Sequence, residues 1–276
     1  MIRAIRRSTW LPCGVLRTAL LAPGLVLGLA SGSASAQGTA LREVVIALVA
    51  ATPGRPADLA RRDLSGLDLA GLEFKGANLA GANLFGADLR GASFAGANLA
   101  GAVLDRTILT RTDFTGADLA GASLFFPGAA TRAGEMTRAE APRFVGANLA
   151  GARVLGDLGN VDWSGANLAG ARFDVGGIQF LNNTRAHLSG GCFAGADLSG
   201  AVLAGVRMAV ADLRGANLAG ADLRGADQAG AKLDGAPVAG ARFEGANLRD
   251  ASLRAVTGLD QALGFPLARN VDRAIR

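Results

Sequence analysis

Two side chains in this 276-residue sequence have the chemistry for nucleophilic catalysis, and they stand five residues apart: His187 and Cys192. An imidazole within hydrogen-bond reach of a thiol can take its proton, and the thiolate is then a nucleophile and a metal ligand. His187 is the only histidine, tyrosine is absent, and no neighbour in sequence would orient the imidazole or activate the thiol. The 40 glycines invite a phosphate-loop reading, but the chain contains no G-x-x-x-x-G-K-[ST] and no nonapeptide calcium-roll phrase. We therefore expect no catalytic residue, no cofactor and no metal site, and look for function in contacts with a partner. The least repetitive segment, FFPGAATRAGEMTRAEAPR at residues 125–143, supplies Arg132, Glu135, Met136, Arg138 and Glu140 as a candidate partner-binding loop. A purely structural loop is the other reading of that segment.

These residues sit in a chain with an unusual rhythm. Residues 74–102 read FKGANLAGANLFGADLRGASFAGANLAGA, a phrase of Ala, Asn or Asp, Leu or Phe, any residue, and Gly that returns every fifth position. A helix spaces apolar residues by three and four and a strand by two, so the period belongs to a larger winding path. The central apolar residues run Leu59, Leu64, Leu69, Phe74 and onward in fives to Leu124 without a slip. Leu and the Ala two places before it point to one side of an extended step, and Gly relaxes the turn to the next. Phe74, Phe94 and Phe114 recur at every fourth step, so four steps close one coil and stack the rings inside one wall. Burying each Leu or Phe is worth roughly 1.5–3 kcal/mol, which gives a long, thin core. The residue before the centre stacks outside, as in Asn78, Asn98 and Asp118, and Arg214, Asp234 and Arg254 form a solvated column after it.

The rhythm fails in three places. Phe114 and Phe144 are six steps apart instead of four, so either two steps' worth of extra chain lies in 125–143 or the Phe ladder restarts on the opposite wall. RVLGDLGNVDW drops one residue between Val154 and Leu158, and Asn183 stands where Leu belongs in IQFLNNTRAHL, which we read as a local bulge. The ends of such a tube need covers. LREVVIALVAA at 41–51 reads as a cap helix stopped by Pro53 and Gly54, and the tail, with a short helix over 259–263, reads as the other cap.

The N-terminus carries Arg3, Arg6, Arg7 and Arg17, then an apolar run, then SGSASA, the three-part form of a secretory signal cleaved after Ala36. The leader holds four Arg and no acid, so its loss leaves 24 basic against 23 acidic side chains. A pI of 10.4 thus says little about a phosphate partner, and nucleic acid is disfavoured. Cys13 leaves with the leader, and Cys192 then has no cysteine to pair with in the mature chain. The domain reading is a signal peptide at 1–36, a cap and linker at 37–56, repeats at 57–124, an insertion at 125–143, repeats at 144–255 and a C-terminal cap at 256–276.

GANLAGANLFGADLRGA at 76–92 and GANLAGADLRGADQAGA at 215–231 resemble the pentapeptide-repeat family, over residues 57 to about 255. The resemblance implies an all-β fold, a right-handed quadrilateral β-helix (pentapeptide-repeat solenoid) with four pentapeptides per coil and short capping segments. It also implies a noncatalytic scaffold for protein–protein interaction, and, as in some members, end-to-end homodimers. With the leader, the expectation is a periplasmic or secreted protein whose partner is another protein or a cell-envelope component, with membrane attachment only if the signal stays uncleaved. The alternative from the same resemblance is a DNA-mimicking topoisomerase (gyrase) protection protein. Those mimics are cytoplasmic and acidic, which this leader and near-balanced charge do not match.

Overall fold

The computed structural model describes residues 33–127, 136–174 and 185–276. Its repeating unit follows from the hydrogen bonds available to Ala-Asx-Leu-x-Gly. In the step centred on Leu79, the Leu79 N–H donates to the Asn98 carbonyl one coil ahead at 2.6 Å, and the Asn78 N–H donates to the Ala57 carbonyl one coil behind at 2.8 Å. A tight turn follows, closed by Ala82 N–H donating to the Leu79 carbonyl at 3.0 Å, with Gly81 at φ 64°, a region an L side chain enters only at a cost. The side chain before the centre does two jobs. Asn98 Oδ1 accepts the Ala100 N–H at 3.1 Å, holding the turn, and Asn98 Nδ2 donates to Asn78 Oδ1 at 3.2 Å, tying one coil to the next.

Repetition of this unit stacks coils in parallel register. Asp58, Asn78, Asn98 and Asp118 bridge in succession, each four repeats on from the last. Four columns of inward residues result, and their Leu, Phe and Ala side chains form one continuous buried core from Ala57 to Leu253. One column is aromatic: Phe74, Phe94, Phe114, Phe144, Trp163 and Phe193 stack with centroids 4.4 to 6.0 Å apart and interplanar angles of 12° or less. Thr107 and Thr112 replace inward Ala and satisfy their hydroxyls on the Leu104 and Leu89 carbonyls. Gln228 replaces an inward Leu, and neither atom of its buried amide has a hydrogen-bond partner among the described residues.

The register resolves the two readings of residues 125–143. Phe144 stacks on Phe114 at 4.8 Å, so the ladder stays on its wall and the extra two steps of chain lie in the insertion. The strands flanking it, β1 (Ser123–Phe125) and β2 (Arg153–Leu155), pair in parallel with Ser123 opposite Arg153. The next coil is one residue short, as Arg143 bridges Asp162 and Asn148 bridges Asn167. Asn183, read as a local bulge, lies outside the described residues. Among the described ones, Asp157 bridges His187 and Arg172 bridges Val202, each six repeats on instead of four, so the register lengthens by two repeats a second time. Sequence phase hides it because its length is two full repeats.

At the N-terminal end, α1 (Ser33–Val49) lies over the first coils. Val44 is buried, with Ala40, Leu41, Ala47 and Leu48 packed on the core at the three- and four-residue spacing of one helix face. At the other end the tail winds one more coil with widened steps, Arg242 bridging Leu263, Asn247 bridging Arg269 and Ser252 bridging Ile275. The helix expected over 259–263 does not form, since those residues turn and then bridge, and short 3-10 turns at Phe265–Leu267 and Val271–Arg273 take up the extra residues. Among the described residues no helix is long and apolar enough to cross a membrane.

Candidate interaction site

The three departures from the repeat fall on one corner of the rod. Leu124, Val154 and Phe173 stand in one inward column, and the insertion, the shortened step and the second lengthening each follow one of them in three successive coils. One wall beyond this corner carries the column of Asp157, His187, Arg207 and Asp227, and the other carries Val103, Ser123, Arg153 and Arg172.

On the first wall the described end of the insertion is strapped across two coils. Met136 is buried, and its carbonyl accepts Asn160 Nδ2 at 2.8 Å. The Arg138 guanidinium donates to the Gly190 carbonyl at 3.0 Å. Glu140 accepts the Thr137 hydroxyl at 2.7 Å and its N–H at 3.2 Å, and these bonds hold its carboxyl below the ordinary range. The Glu140 carbonyl accepts Arg111 N–H from the coil below at 2.8 Å. Met136, Asp157, Gly159, Asn160, His187 and Val210 line a shallow concavity of about 110 Å³. Of the five loop residues named from sequence, Met136, Arg138 and Glu140 thus share one wall, with Met136 buried against it, and Arg132 and Glu135 lie outside the described residues.

His187 Nδ1 is 2.8 Å from Asp157 Oδ1, one coil away. Cys192, expected on the outer face as the residue before Phe193, is 1% exposed, and its Sγ lies 3.1 Å from Ser164 Oγ. The imidazole and the sulfur therefore face different partners, an arrangement that does not pair base with nucleophile. Among the described residues no three His, Cys, Asp or Glu side chains converge as a metal site.

The second wall carries a cluster that sequence reasoning missed. Phe85 and Phe126 are exposed at 45% and 39%, and Phe125 is half-buried between them and Arg153. Arg106 lies over the Phe85 ring at 5.8 Å and Arg153 over the Phe125 ring at 4.7 Å. Asp105 is occupied below them by the Ser123 hydroxyl and the Phe125 N–H. The corner positions in this column are Gly66 and Gly86 in the coils before, and then Arg106 at φ 59° and Phe126 at φ 51°. A side chain in that left-handed region costs about 1–2 kcal/mol. The missing glycine in LDRTI and LFFPG was the signal available in the sequence.

A family model for pentapeptide repeats matches eight copies, over residues 57–91, 87–124, 184–218, 192–227 and 211–250. No curated protein matches the chain. Among solved structures the chain is similar to HetL, a pentapeptide repeat protein involved in heterocyst differentiation regulation from the cyanobacterium Nostoc sp. strain PCC 7120, at 27% identity and TM-score 0.57, over 87% of this chain and 98% of HetL. Weaker likenesses are to Rfr23 of the cyanobacterium Cyanothece 51142, at 25% identity and TM-score 0.31 over 43% of this chain and 90% of that one, and to full-length QnrB1, a plasmid-mediated fluoroquinolone resistance protein, at 19% and 0.30 over 72% and 83%. The repeat, its stacked coils, the family-model match and the likeness to HetL place the chain in the pentapeptide-repeat protein family.

Proposed function

We propose that this protein is exported and acts as a noncatalytic scaffold, whose broken corner binds another protein or a cell-envelope component. The observation that carries the reading is the coincidence of all three departures on one corner, while the other walls keep the repeat until the widened last coil. Excursions from a rigid scaffold are where contacts with partners are usually built. Export is supported by the leader and by α1, whose packed residues Ala40, Leu41, Val44, Ala47 and Leu48 all lie after the expected cleavage point at Ala36. Right-handed winding in a four-sided coil rests on the family resemblance and on the bridges between residues four repeats apart. Leu263, Leu267 and Ile275, exposed on the last coil, support an end-to-end pairing of two copies.

Cell fractionation with N-terminal sequencing tests the first half of the proposal, and a photo-crosslinking residue placed at Arg138 or, on the opposite wall, at Ala100 tests the second. We expect an exported product beginning at Gln37, and adducts from position 138 but not from 100. A full-length cytoplasmic product would overturn export and make gyrase protection the next assay. Equal adducts from both positions would overturn the corner as the site.

A further inference from the structure

From the cluster on the second wall we propose that the corner recognises an acidic segment of its partner, with carboxylates flanking an apolar side chain. This rests on the corner being the contact site. Two observations carry it. Arg106 and Arg153 have no carboxylate within ion-pair distance among the described residues, whereas Arg90, Arg214 and Arg224 are each paired with the Asp two residues before them. The free guanidinium groups stand two coils apart, about 10 Å at the usual strand spacing. Between and beside them lie Phe85, Phe125 and Phe126, the first and last of these well exposed.

Arg and aromatic side chains together are the composition of interface hot spots, and unpaired guanidinium groups call for carboxylates. Arg106 and Phe126 also occupy corner positions that are glycine in the preceding coils. The fold does not need these side chains there, and Gly would satisfy the turn better. Interleaved Arg and Phe could also serve single-stranded nucleic acid, but that requires a basic groove along several nucleotides. Here Asp105, Asp174 and Glu244 stand in the same column as Phe85 and Phe125, and only Arg106 and Arg153 offer free charge beside the rings.

The test is fluorescence anisotropy with the cleaved chain and three labelled probes: the peptide Glu-Glu-Leu-Glu-Asp-Leu-Glu-Glu, its counterpart with Lys at every acidic position, and a twelve-nucleotide oligothymidylate. We expect the acidic peptide to bind at least about tenfold more tightly than the Lys peptide, and to weaken as salt rises. R106E/R153E should weaken it by about tenfold or more with an unchanged Tm. R106G and F126G should also weaken it while holding or raising Tm, which separates lost contact from lost fold. Equal binding of the two peptides, unchanged binding by R106E/R153E, or tighter binding of the oligonucleotide would each overturn the proposal. If adducts from position 138 persist while the acidic peptide fails to bind, the corner stands as the site and its preference for acid falls.

Discussion

The wall centred on Leu79 and the corner beyond Val154 are written in the same five-residue phrase, yet they use it differently. On the wall the outer column runs Asp58, Asn78, Asn98, Asp118, Asn148, Asn167, Asp197, Asn217, and no two Asp are adjacent. Each Asp between coils receives an amide from an Asn, as Asn148 Nδ2 donates to Asp118 at 2.8 Å and Asn217 Nδ2 to Asp197 at 3.0 Å. Ala and Gly follow at most of the turns, with Arg61 at φ 57° in the first coil an exception, so most side chains there serve the stack. At the corner the chain lengthens, shortens and lengthens again, and places Arg106 and Phe126 in left-handed backbone. The difference separates residues chosen for the stack from residues held against its preference, and the second kind point to contacts outside the chain.

The largest effect should come from the regular walls, in the aromatic column. Phe114 is fully buried and stacks on Phe94 at 5.2 Å and on Phe144 at 4.8 Å. Phe114→Ala removes the ring and both stacks and leaves a cavity in a core one coil thick, so it should cost about 3–5 kcal/mol. Phe125→Ala, at the corner, loses a half-buried ring and one Arg153 contact and should cost less than about 1.5 kcal/mol. Denaturant midpoints of the two variants check this. Equal losses would mean that the corner is built into the core after all.

How much of this could be read in the sequence depends on whether a departure disturbs the phase. The period and the return of Phe at every fourth repeat led to stacked coils because every repeat carries the same inward pair. The step from Val154 to Leu158 was visible because it drops one residue and shifts every later centre. The two longer departures preserve the phase, so the sequence leaves the first open between two readings that the Phe144–Phe114 stack separates, and gives no sign of the two added repeats that the register shows before His187. The convergence of all three on one corner needed the register, since only bridge partners tell which wall a step occupies. Phe85 was missed because the place it fills, after the inward centre, tolerates any residue and carries no periodic signal. Arg106 in a Gly place and Arg153 in an Asn or Asp place break the phrase singly, and reveal a cluster only once the register brings them together.

A middle-sized effect of opposite sign tests the rule inside the core. Gln228 sits where the columns before and after it place Met208 and Leu248, and its buried amide lacks partners among the described residues. Burying such an amide without hydrogen bonds costs about 1–3 kcal/mol. Gln228→Leu should therefore raise stability by about that amount, read as a higher Tm and an unchanged denaturant slope. A fall in Tm would show that the amide is satisfied in solution, most simply by an internal water.

The smallest effect lies one turn beyond the corner, beside the concavity on the first wall. Val210 is β-branched, sits at φ 54° between Gly190 at φ 69° and Gly230 at φ 66° in the same column, and is exposed at 49% beside His187 and Asn160. Left-handed backbone costs a branched residue about 1–2 kcal/mol, and a glycine returns roughly 0.5–1 kcal/mol of that as unfolded-state entropy. Val210→Gly should then stabilise the rod by about 0.5–1 kcal/mol, a rise in Tm of a few degrees at most. If the same variant reduces adducts from position 138, stability and contact are exchanged at this residue, and Val210 belongs with Arg106 and Phe126. If Tm falls instead, Val210 packs for the fold, and its backbone conformation says nothing about a partner.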